Sequence, residues 1–484
     1  PMGRPPHLRV LACRSHPLTF SITEASYREE QGEGGSGVKP RIYTPGAGHQ
    51  PPVLAGRDDQ LRDWSLMLND AAARGRVAAR DTILVGPRGV GKTALLTAYA
   101  RIAQAQGTVV VDLQAVRGEA GLIESLMQHA RRLTAEEAGP WRRARASFER
   151  LAGFNIGLAG IGAGVSLRDT STAPARPDAG SLAGALARLA AEVAKDHSSG
   201  GLLITVDELQ VAAHPDLALL AATLHRLNVD HSGANVTFAA SGLPFTTSVL
   251  NAAGVTHPDR LFEVVDVPLT LPPNDARYAL VEPARAEHVA WEVAALDRVL
   301  TVTNGYPAHL QLVADAVWRA AKGPDAITLA DVETTLPGLV DQLDRRTFGP
   351  RWERLTDRQA EFLAALALHG GRAGMADLAR TLNRTSTDLS WLRDQLIKEG
   401  DIYPPRYGHV AMAVPLFTDF VLARYPQDRL GPSSGLLTLE QMSNYAQNTS
   451  LAPSPPRPGG NPLPRTSPRH SLTPGPASPE GPQR

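Results

Sequence analysis

A glycine-rich segment between an apolar run and a helical run constrains the fold more than any other feature of this sequence. Residues 86–93 read Gly-Pro-Arg-Gly-Val-Gly-Lys-Thr and match the pattern G-x-x-x-x-G-K-[ST] in full. The apolar run at 82–85 predicts a short buried strand before the segment, and residues 93–105 predict a helix after it. This order of strand, loop and helix is the context in which the pattern forms a phosphate-binding loop, and it favours an α/β fold.

Each residue type in this segment has a use in binding phosphate. The glycines let backbone N–H groups surround phosphate oxygens, and the N-terminus of the following helix adds positive potential. Lys92 can neutralise β- and γ-phosphate oxygens, and the Thr93 hydroxyl can bind Mg²⁺. The sequence therefore predicts that ATP and Mg²⁺ are bound here. The predicted nucleotide contacts in this segment are Gly86, Pro87, Arg88, Gly89, Val90, Gly91, Lys92, Thr93 and Ala94.

Two carboxylates follow a second apolar run. Residues 202–206 predict a buried strand, and Asp207 and Glu208 come directly after it. Ligands of open parallel sheets bind at the carboxyl ends of the strands, so these side chains are expected beside the phosphate-binding loop. Asp207 would hold the magnesium ion, and Glu208 would orient or deprotonate the attacking water. The alternative is a strand that ends in a solvated turn, and the upstream loop argues against it.

Two further residues have weaker claims to the same chemistry. Ser241 ends the next predicted strand, where it would hydrogen-bond the γ-phosphate or the attacking water, or else cap a turn. Arg260 precedes a predicted fifth strand at 262–267, where an arginine would reach the nucleotide of a neighbouring subunit and stabilise charge in the transition state. The alternative for Arg260 is a solvated surface arginine.

The chain of 484 residues is long enough for roughly three structural units. Helical and extended patterns alternate through its first two-thirds, which predicts a doubly wound parallel sheet. Helical patterns without strands follow and predict a helical lid. The expected organisation is a flexible arm at 1–50, an α/β core at 51–272 with an insertion at about 135–180, the lid at 273–345, a winged helix-turn-helix domain at 346–426 and a disordered Pro/Ser-rich tail at 427–484.

The winged-helix prediction rests on three helical patterns at 357–368, 375–382 and 387–399, followed by extended pieces near 402–403 and 409–412. Within 351–425, ten Lys/Arg residues meet nine Asp/Glu residues. A DNA-binding domain usually carries a basic stripe, so this balance favours an intramolecular or protein-facing module over a DNA-binding one. DNA binding through 351–425 stays open as an alternative.

Composition excludes several classes of protein. The 49 basic and 49 acidic residues cancel, so no global charge draws the chain to nucleic acid or to an anionic membrane. A single cysteine, Cys13, excludes a disulfide scaffold and fits a reducing compartment. No apolar stretch approaches the roughly 20 residues that a membrane-spanning helix needs. We therefore expect a cytoplasmic protein with no membrane partner.

With these motifs in this order, residues 41–425 resemble bacterial AAA+ ATPases that have an origin-recognition-complex-like ATPase domain, close to the signal-transduction ATPases with numerous domains. The resemblance implies an ATP-driven switch, with Gly56, Arg57 and Asp58 near the adenine and a lid that closes over the nucleotide. It also implies that Arg260 is an arginine finger that acts through self-association. Besides the two ATPase motifs, it rests on residues 43–48, 54–58, 280–284, 305–307 and 414–417.

One departure from the replication initiators bears on function. Their lid normally offers a second sensor arginine after a glycine, whereas Gly305 is followed here by Tyr306, Pro307, Ala308 and His309. This difference suits the signal-transduction group, whose lid carries glycine-x-proline. The predicted function is an ATP-binding AAA+ ATPase that acts as a regulatory switch and slowly hydrolyses ATP to ADP and phosphate with magnesium. The alternative is a nucleotide-dependent DNA-binding or assembly module with incidental hydrolysis.

Overall fold

The computed structural model describes most of the chain between residues 40 and 425. Most of the expected insertion at about 135–180, the whole of the expected tail at 427–484 and Cys13 lie outside the described residues. The described ranges are 40–46, 48–116, 121–136, 146–148, 151, 176–196, 200–323 and 325–425.

A five-stranded parallel sheet forms the α/β part of the protein. Its strands are β1 (Thr82–Val85), β2 (Val109–Gln114), β3 (Leu202–Asp207), β4 (Val236–Gly242) and β5 (Glu263–Asp266). The spatial order is β2-β3-β4-β1-β5, and every neighbouring pair is parallel. β1, β3 and β4 are the inner strands, and this explains why they read as nearly continuous apolar runs.

Helices cover both faces of this sheet. They are α1 (Asp58–Arg74), α2 (Lys92–Ala105), α3 (Leu122–Glu136), α4 (Ala179–Asp196), α5 (His214–Asp230), α6 (Thr246–Ala252) and α7 (Pro258–Leu261). Successive strand residues point to opposite faces. Leu84 and Leu203 therefore pack with α1 and α2, whereas Ile83 and Ile204 pack with α3, α4 and α5. The predicted doubly wound α/β fold is confirmed.

A helical domain follows the sheet. It contains α8 (Pro273–Ala286), β6 (Ala290–Trp291), α9 (Val293–Thr303), α10 (Pro307–Ala320), β7 (Ala326–Ile327) and α11 (Leu329–Leu343). Helices were expected here from the sequence, with an interruption at 304–307. Asn304 and Gly305 form that interruption, and both have left-handed backbone angles, which end α9 before Pro307 starts α10.

The last residues of the expected flexible arm are ordered, which corrects that expectation. Tyr43 is fully buried among the helices of the helical domain, and its hydroxyl donates to the carbonyl of Leu280 at 2.5 Å. Trp291 Nε1 donates to the same hydroxyl at 3.0 Å, and Trp318 Nε1 donates to the carbonyl of Pro40 at 2.8 Å. One aromatic residue with distant partners therefore anchors a stretch whose Gly/Pro composition predicts disorder.

The C-terminal domain, residues 349–424, combines helices with a small antiparallel sheet in the order β8-β10-β9. Its elements are α12 (Gly349–Glu353), α13 (Asp357–Leu368), β8 (Arg372–Gly374), α14 (Met375–Thr381), α15 (Ser386–Glu399), β9 (Ile402–Tyr403), β10 (His409–Met412) and α16 (Pro415–Arg424). Thr356 and Thr385 begin α13 and α15 with capping boxes. Across the described ranges, every helix is too short or too polar to cross a membrane.

Candidate nucleotide-binding site

The G-x-x-x-x-G-K-T segment forms the turn between β1 and α2. Gly91 has φ +92° and directly precedes Lys92, the first residue of α2. Gly89 has φ +80°, and a Cβ there would overlap the hydroxyl of Tyr306. Glycine is required at 89 both for the backbone angle and for this close approach. The first N–H groups of α2 have no partner within the helix, which makes them donors for an anion.

Lys92 lies inside this loop. Its side chain is only 5% exposed, and Nζ donates to the carbonyl of Pro87 at 2.9 Å. Burial lowers the pKa of Lys92 to about 8, and the negative charges of Glu208 and Asp207 oppose this shift. The ammonium group is therefore buried and held against a carbonyl of the loop itself.

Thr93 and Asp207 meet although 114 positions separate them. Thr93 Oγ1 donates to Asp207 Oδ2 at 2.9 Å, which joins the start of α2 to the end of β3. A hydroxyl and a carboxylate at this separation are the hard oxygen donors that Mg²⁺ takes in phosphate-binding sites, where it keeps several water ligands. The residues present therefore fit a magnesium ion at this position.

Ser241 and Glu208 lie beside the same carboxylate. The Ser241 hydroxyl donates to Asp207 Oδ1, so β4 and the start of α2 hold the two oxygens of Asp207. The backbone N–H of Glu208 lies 3.0 Å from Asp207 Oδ1 and 3.3 Å from Ser241 Oγ. Four residues that the sequence assigned to this chemistry, Thr93, Asp207, Glu208 and Ser241, are thus brought together at the carboxyl ends of neighbouring strands.

Gly56 and Arg57 lie just before α1, next to the phosphate-binding loop. The Arg57 side chain is 2% exposed, and Nη2 donates to the carbonyl of Val90 at 3.0 Å. Burial lowers the pKa of Arg57, and the Asp275 carboxylate opposes this shift. The guanidinium group therefore supports the loop, and contacts from this segment to a base would come from its backbone.

Arg260 lies apart from the other predicted residues. It is in α7, just before β5, and the first residue of β5 pairs with Thr82 at the start of β1. The phosphate-binding loop follows the other end of β1, so about four strand residues, or roughly 13 Å, separate the two levels of the sheet. Arg260 is exposed. The exposed Arg260 therefore lies near the end of β1 that is opposite the phosphate-binding loop.

The helical domain contacts the phosphate-binding loop through residues that the sequence assigned no contact. The Tyr306 hydroxyl donates to the carbonyl of Arg88, and the N–H of Ala308 donates to the carbonyl of Gly89 at 3.1 Å. Tyr306 is 2% exposed. The Gly305-Tyr306-Pro307 motif was the available signal, but only the structure gives its partner.

The C-terminal domain contacts the same loop. Pro87 and Arg88 line a small cavity together with Gly400 and Tyr403, and a Cβ on Gly400 would lie 3.9 Å from Arg88 Nε. Burial raises the pKa of the neighbouring Asp401, and guanidinium groups, that of Arg88 among them, oppose this shift. The helical domain and the C-terminal domain therefore contact three consecutive residues of the loop, 87–89. No motif in the sequence predicted the second contact.

Comparison with known proteins agrees with this geometry. Residues 53–237 match the family model of the AAA ATPase domain, and residues 345–421 match a domain of unknown function, DUF8462. A search of curated proteins found no match. The first match spans β1 to the start of β4 and includes the loop, Asp207 and Glu208.

Three solved structures are similar to this chain at low sequence identity. A Walker-type ATPase of Pyrococcus abyssi is 17% identical with a TM-score of 0.50, over 77% of this chain and 97% of that one. The Aeropyrum pernix ORC2 protein is 15% identical with a TM-score of 0.47, over 84% and 98%. The Thermotoga maritima RuvB Holliday junction branch migration motor is 17% identical with a TM-score of 0.38, over 74% and 92%. The family match supports a nucleotide-binding ATPase domain of the AAA type. The first of these structures supports the P-loop fold.

Proposed function

We propose that this protein binds ATP with magnesium, hydrolyses it slowly, and uses the nucleotide state as a regulatory switch. The observation that carries the proposal is the contact between Thr93 and Asp207 beside the phosphate-binding loop, with Glu208 next in the chain. This arrangement supplies a phosphate cradle, a magnesium site and a carboxylate base within one small volume.

Each residue then has a defined task. Lys92 leaves the Pro87 carbonyl and neutralises phosphate oxygens, while the N–H groups of the loop and of Ala94 surround them. Thr93 and Asp207 would hold Mg²⁺, which neutralises charge that develops on the phosphates. Glu208 accepts a proton from the attacking water, and Ser241 keeps the Asp207 carboxylate oriented.

The proposal also covers binding of the adenine base and the contribution of a neighbouring subunit. The backbone of Gly56 and Arg57 would contact the base, as the family resemblance implies, while the Arg57 side chain supports the loop. The exposed Arg260 would reach the nucleotide of a second copy of the chain, because its position before β5 does not reach its own.

The switch follows from the two contacts on the loop. Tyr306 and Ala308 of the helical domain bond to the carbonyls of Arg88 and Gly89, and the C-terminal domain lies against Pro87 and Arg88. A bound triphosphate changes the charge next to this loop and reorders its backbone. The helical domain and the C-terminal domain would both change position or dynamics, because each of them contacts this loop.

Hydrogen–deuterium exchange with ATP, with ADP and without nucleotide tests the switch. We expect exchange to differ between the ATP and ADP states at 303–309 and at 397–403. The buried helix α13 provides the internal reference, since it has no contact with the loop among those described. Identical exchange at both segments in all three states would contradict a nucleotide-dependent switch.

The pKa of Lys92 predicts how nucleotide affinity depends on pH. Its folded-state pKa is lowered to about 8, so the ammonium group that binds phosphate is lost as the pH rises through 8. ATP affinity should therefore be highest below pH 8 and fall about tenfold between pH 7 and pH 9. Calorimetry in two buffers of different ionisation enthalpy should detect proton uptake on binding at pH 8.5. Affinity that is constant over this range, without proton uptake, would contradict a buried, titrating Lys92.

We further infer that the C-terminal domain is a winged helix, because α14 and α15 are followed by the antiparallel β9 and β10. Several of its arginines are already neutralised by carboxylates of the same domain, which lowers the number of DNA phosphates it can bind. The pairs are Arg351–Asp401, Arg380–Asp377, Arg384–Glu361 and Arg393–Asp394.

We therefore expect weak binding to duplex DNA, with a Kd above about 1 µM at physiological salt. Fluorescence anisotropy with a mixed-sequence duplex at low and at physiological salt measures this. Any binding at low salt should decrease steeply as salt is added. Nanomolar binding that persists at physiological salt would favour the DNA-binding alternative over a protein-facing module.

A further inference from the structure

The carboxylate of Glu208 is held by one neighbouring side chain. Gln210 lies in the short turn after β3, and its Nε2 donates to Glu208 Oε2 at 2.6 Å. Among the described residues, this is the only hydrogen bond to the Glu208 carboxylate, since the other contacts of Glu208 at the site use its backbone N–H. The direction of the carboxylate therefore depends on Gln210.

The other end of the Gln210 amide is fixed as well. Its Oε1 accepts from the backbone N–H of Leu243 at 3.1 Å, directly after β4. An amide whose two ends are both bonded has one orientation, because a flip would oppose donor to donor and acceptor to acceptor. β4 thus fixes both acidic residues, Asp207 through Ser241 and Glu208 through Leu243 and Gln210.

The backbone of Glu208 adds a reason for this support. Glu208 has φ 56° and ψ 41°, a left-handed conformation that is uncommon outside glycine. Such a residue keeps its conformation only when its surroundings determine it, and these residues concentrate at active sites. The hydrogen bond from Gln210 fixes the orientation of the Glu208 side chain in this turn at the end of β3.

We propose that Gln210 is a positioning residue for ATP hydrolysis, which orients the Glu208 carboxylate toward the attacking water by tying it to the end of β4. The inference rests on the proposed role of Glu208 as the base. Gln210 itself touches neither phosphate nor water in this assignment. A misplacement of about 1 Å at a reacting group costs up to about 100-fold in rate, so loss of the tie should lower kcat.

Two substitutions separate this role from a structural one. Gln210→Met keeps the length of the side chain and removes both hydrogen bonds. Gln210→Glu keeps an acceptor for the Leu243 N–H but loses the donor to Glu208 and places a second carboxylate beside it. Gln128→Met is the matched control, because Gln128 makes the same kind of bond to Glu124 on the exposed face of α3.

We expect kcat for ATP hydrolysis to fall by about 10- to 100-fold in both Gln210 variants. The KM for ATP should stay within about twofold of the wild-type value, and the Tm within a few degrees of it. The Gln128 variant should match the wild type. In a Glu208→Gln background, where no carboxylate base remains to be oriented, Gln210→Glu should change phosphate release by less than about twofold.

Each result bears on a separate claim. A wild-type chain that binds ATP and releases no phosphate would contradict the proposed hydrolysis and this inference with it. Wild-type turnover with an unchanged kcat in Gln210→Glu would overturn the inference alone, and the hydrolysis would stand. An equal fall in kcat in the wild-type and Glu208→Gln backgrounds would also overturn it, because Gln210 would then act independently of Glu208. If Gln210→Met does not fold, the Gln210→Glu measurements still decide.

Discussion

Replacing Lys92 with alanine should remove ATP binding at micromolar nucleotide. The N–H groups of the loop would remain, but the side-chain cation that is proposed to neutralise the triphosphate would be lost. Hydrogen bonds to charged groups contribute about 1.5–3 kcal/mol each, and Lys92 is placed to make more than one of them. A loss of at least about 100-fold in affinity follows.

Titration with a fluorescent ATP analogue measures this loss. The matched control is Lys322→Ala, because Lys322 is an exposed lysine between α10 and β7 of the helical domain and its removal should leave the affinity unchanged. The Lys92→Ala variant should remain folded, because the buried ammonium of Lys92 carries a desolvation cost that alanine does not. A melting temperature close to that of the wild type checks this. Unchanged nucleotide affinity in a folded Lys92→Ala protein would exclude residues 86–93 as the phosphate site.

The second large effect should come from Glu208→Gln. This change retains the shape of the side chain and removes its ability to accept a proton. Removal of a positioned general base typically costs about 10²–10⁴-fold in rate, so hydrolysis should slow by about 100-fold or more while ATP is still bound. Asp207→Asn should behave differently, because Asp207 bonds to Thr93 at the proposed magnesium site and its loss should weaken the magnesium dependence of binding as well.

Single-turnover phosphate release compares these variants, with Glu287→Gln as the control. Glu287 is an exposed glutamate in the helical domain, so its amide form should hydrolyse ATP at the wild-type rate. If Glu208→Gln and Asp207→Asn both turn over as fast as the wild type, the two carboxylates are only the end of a strand.

The parts of the site that the sequence predicted are those governed by local pattern. The loop is fixed by its glycines and by the strand and helix beside it. Asp207 ends a strand whose apolar run is unambiguous, and Glu208 follows it. The carboxyl ends of parallel strands lie at one edge of the sheet. The contact between Thr93 and Asp207 is therefore predictable from the sequence pattern alone.

The remaining contacts depend on tertiary placement. Tyr306 meets the carbonyl of Arg88 across 218 positions, and nothing near either residue specifies the partner. The sequence places Tyr43 in a Gly/Pro-rich arm, and only the folded structure shows that the helical domain surrounds it. The short strand Arg372–Gly374 follows two glycines, and only its pairing with β10 makes it a strand.

Single-turnover release of phosphate from ATP, with magnesium and with or without duplex DNA, tests the central claim most directly. The account predicts slow release by the wild type, at a rate that DNA does not change, and release that is slower by at least about 100-fold in Glu208→Gln. A wild-type chain that binds ATP tightly but releases no phosphate, with or without DNA, would contradict an ATP-hydrolysing switch. It would leave a module in which the nucleotide is only held.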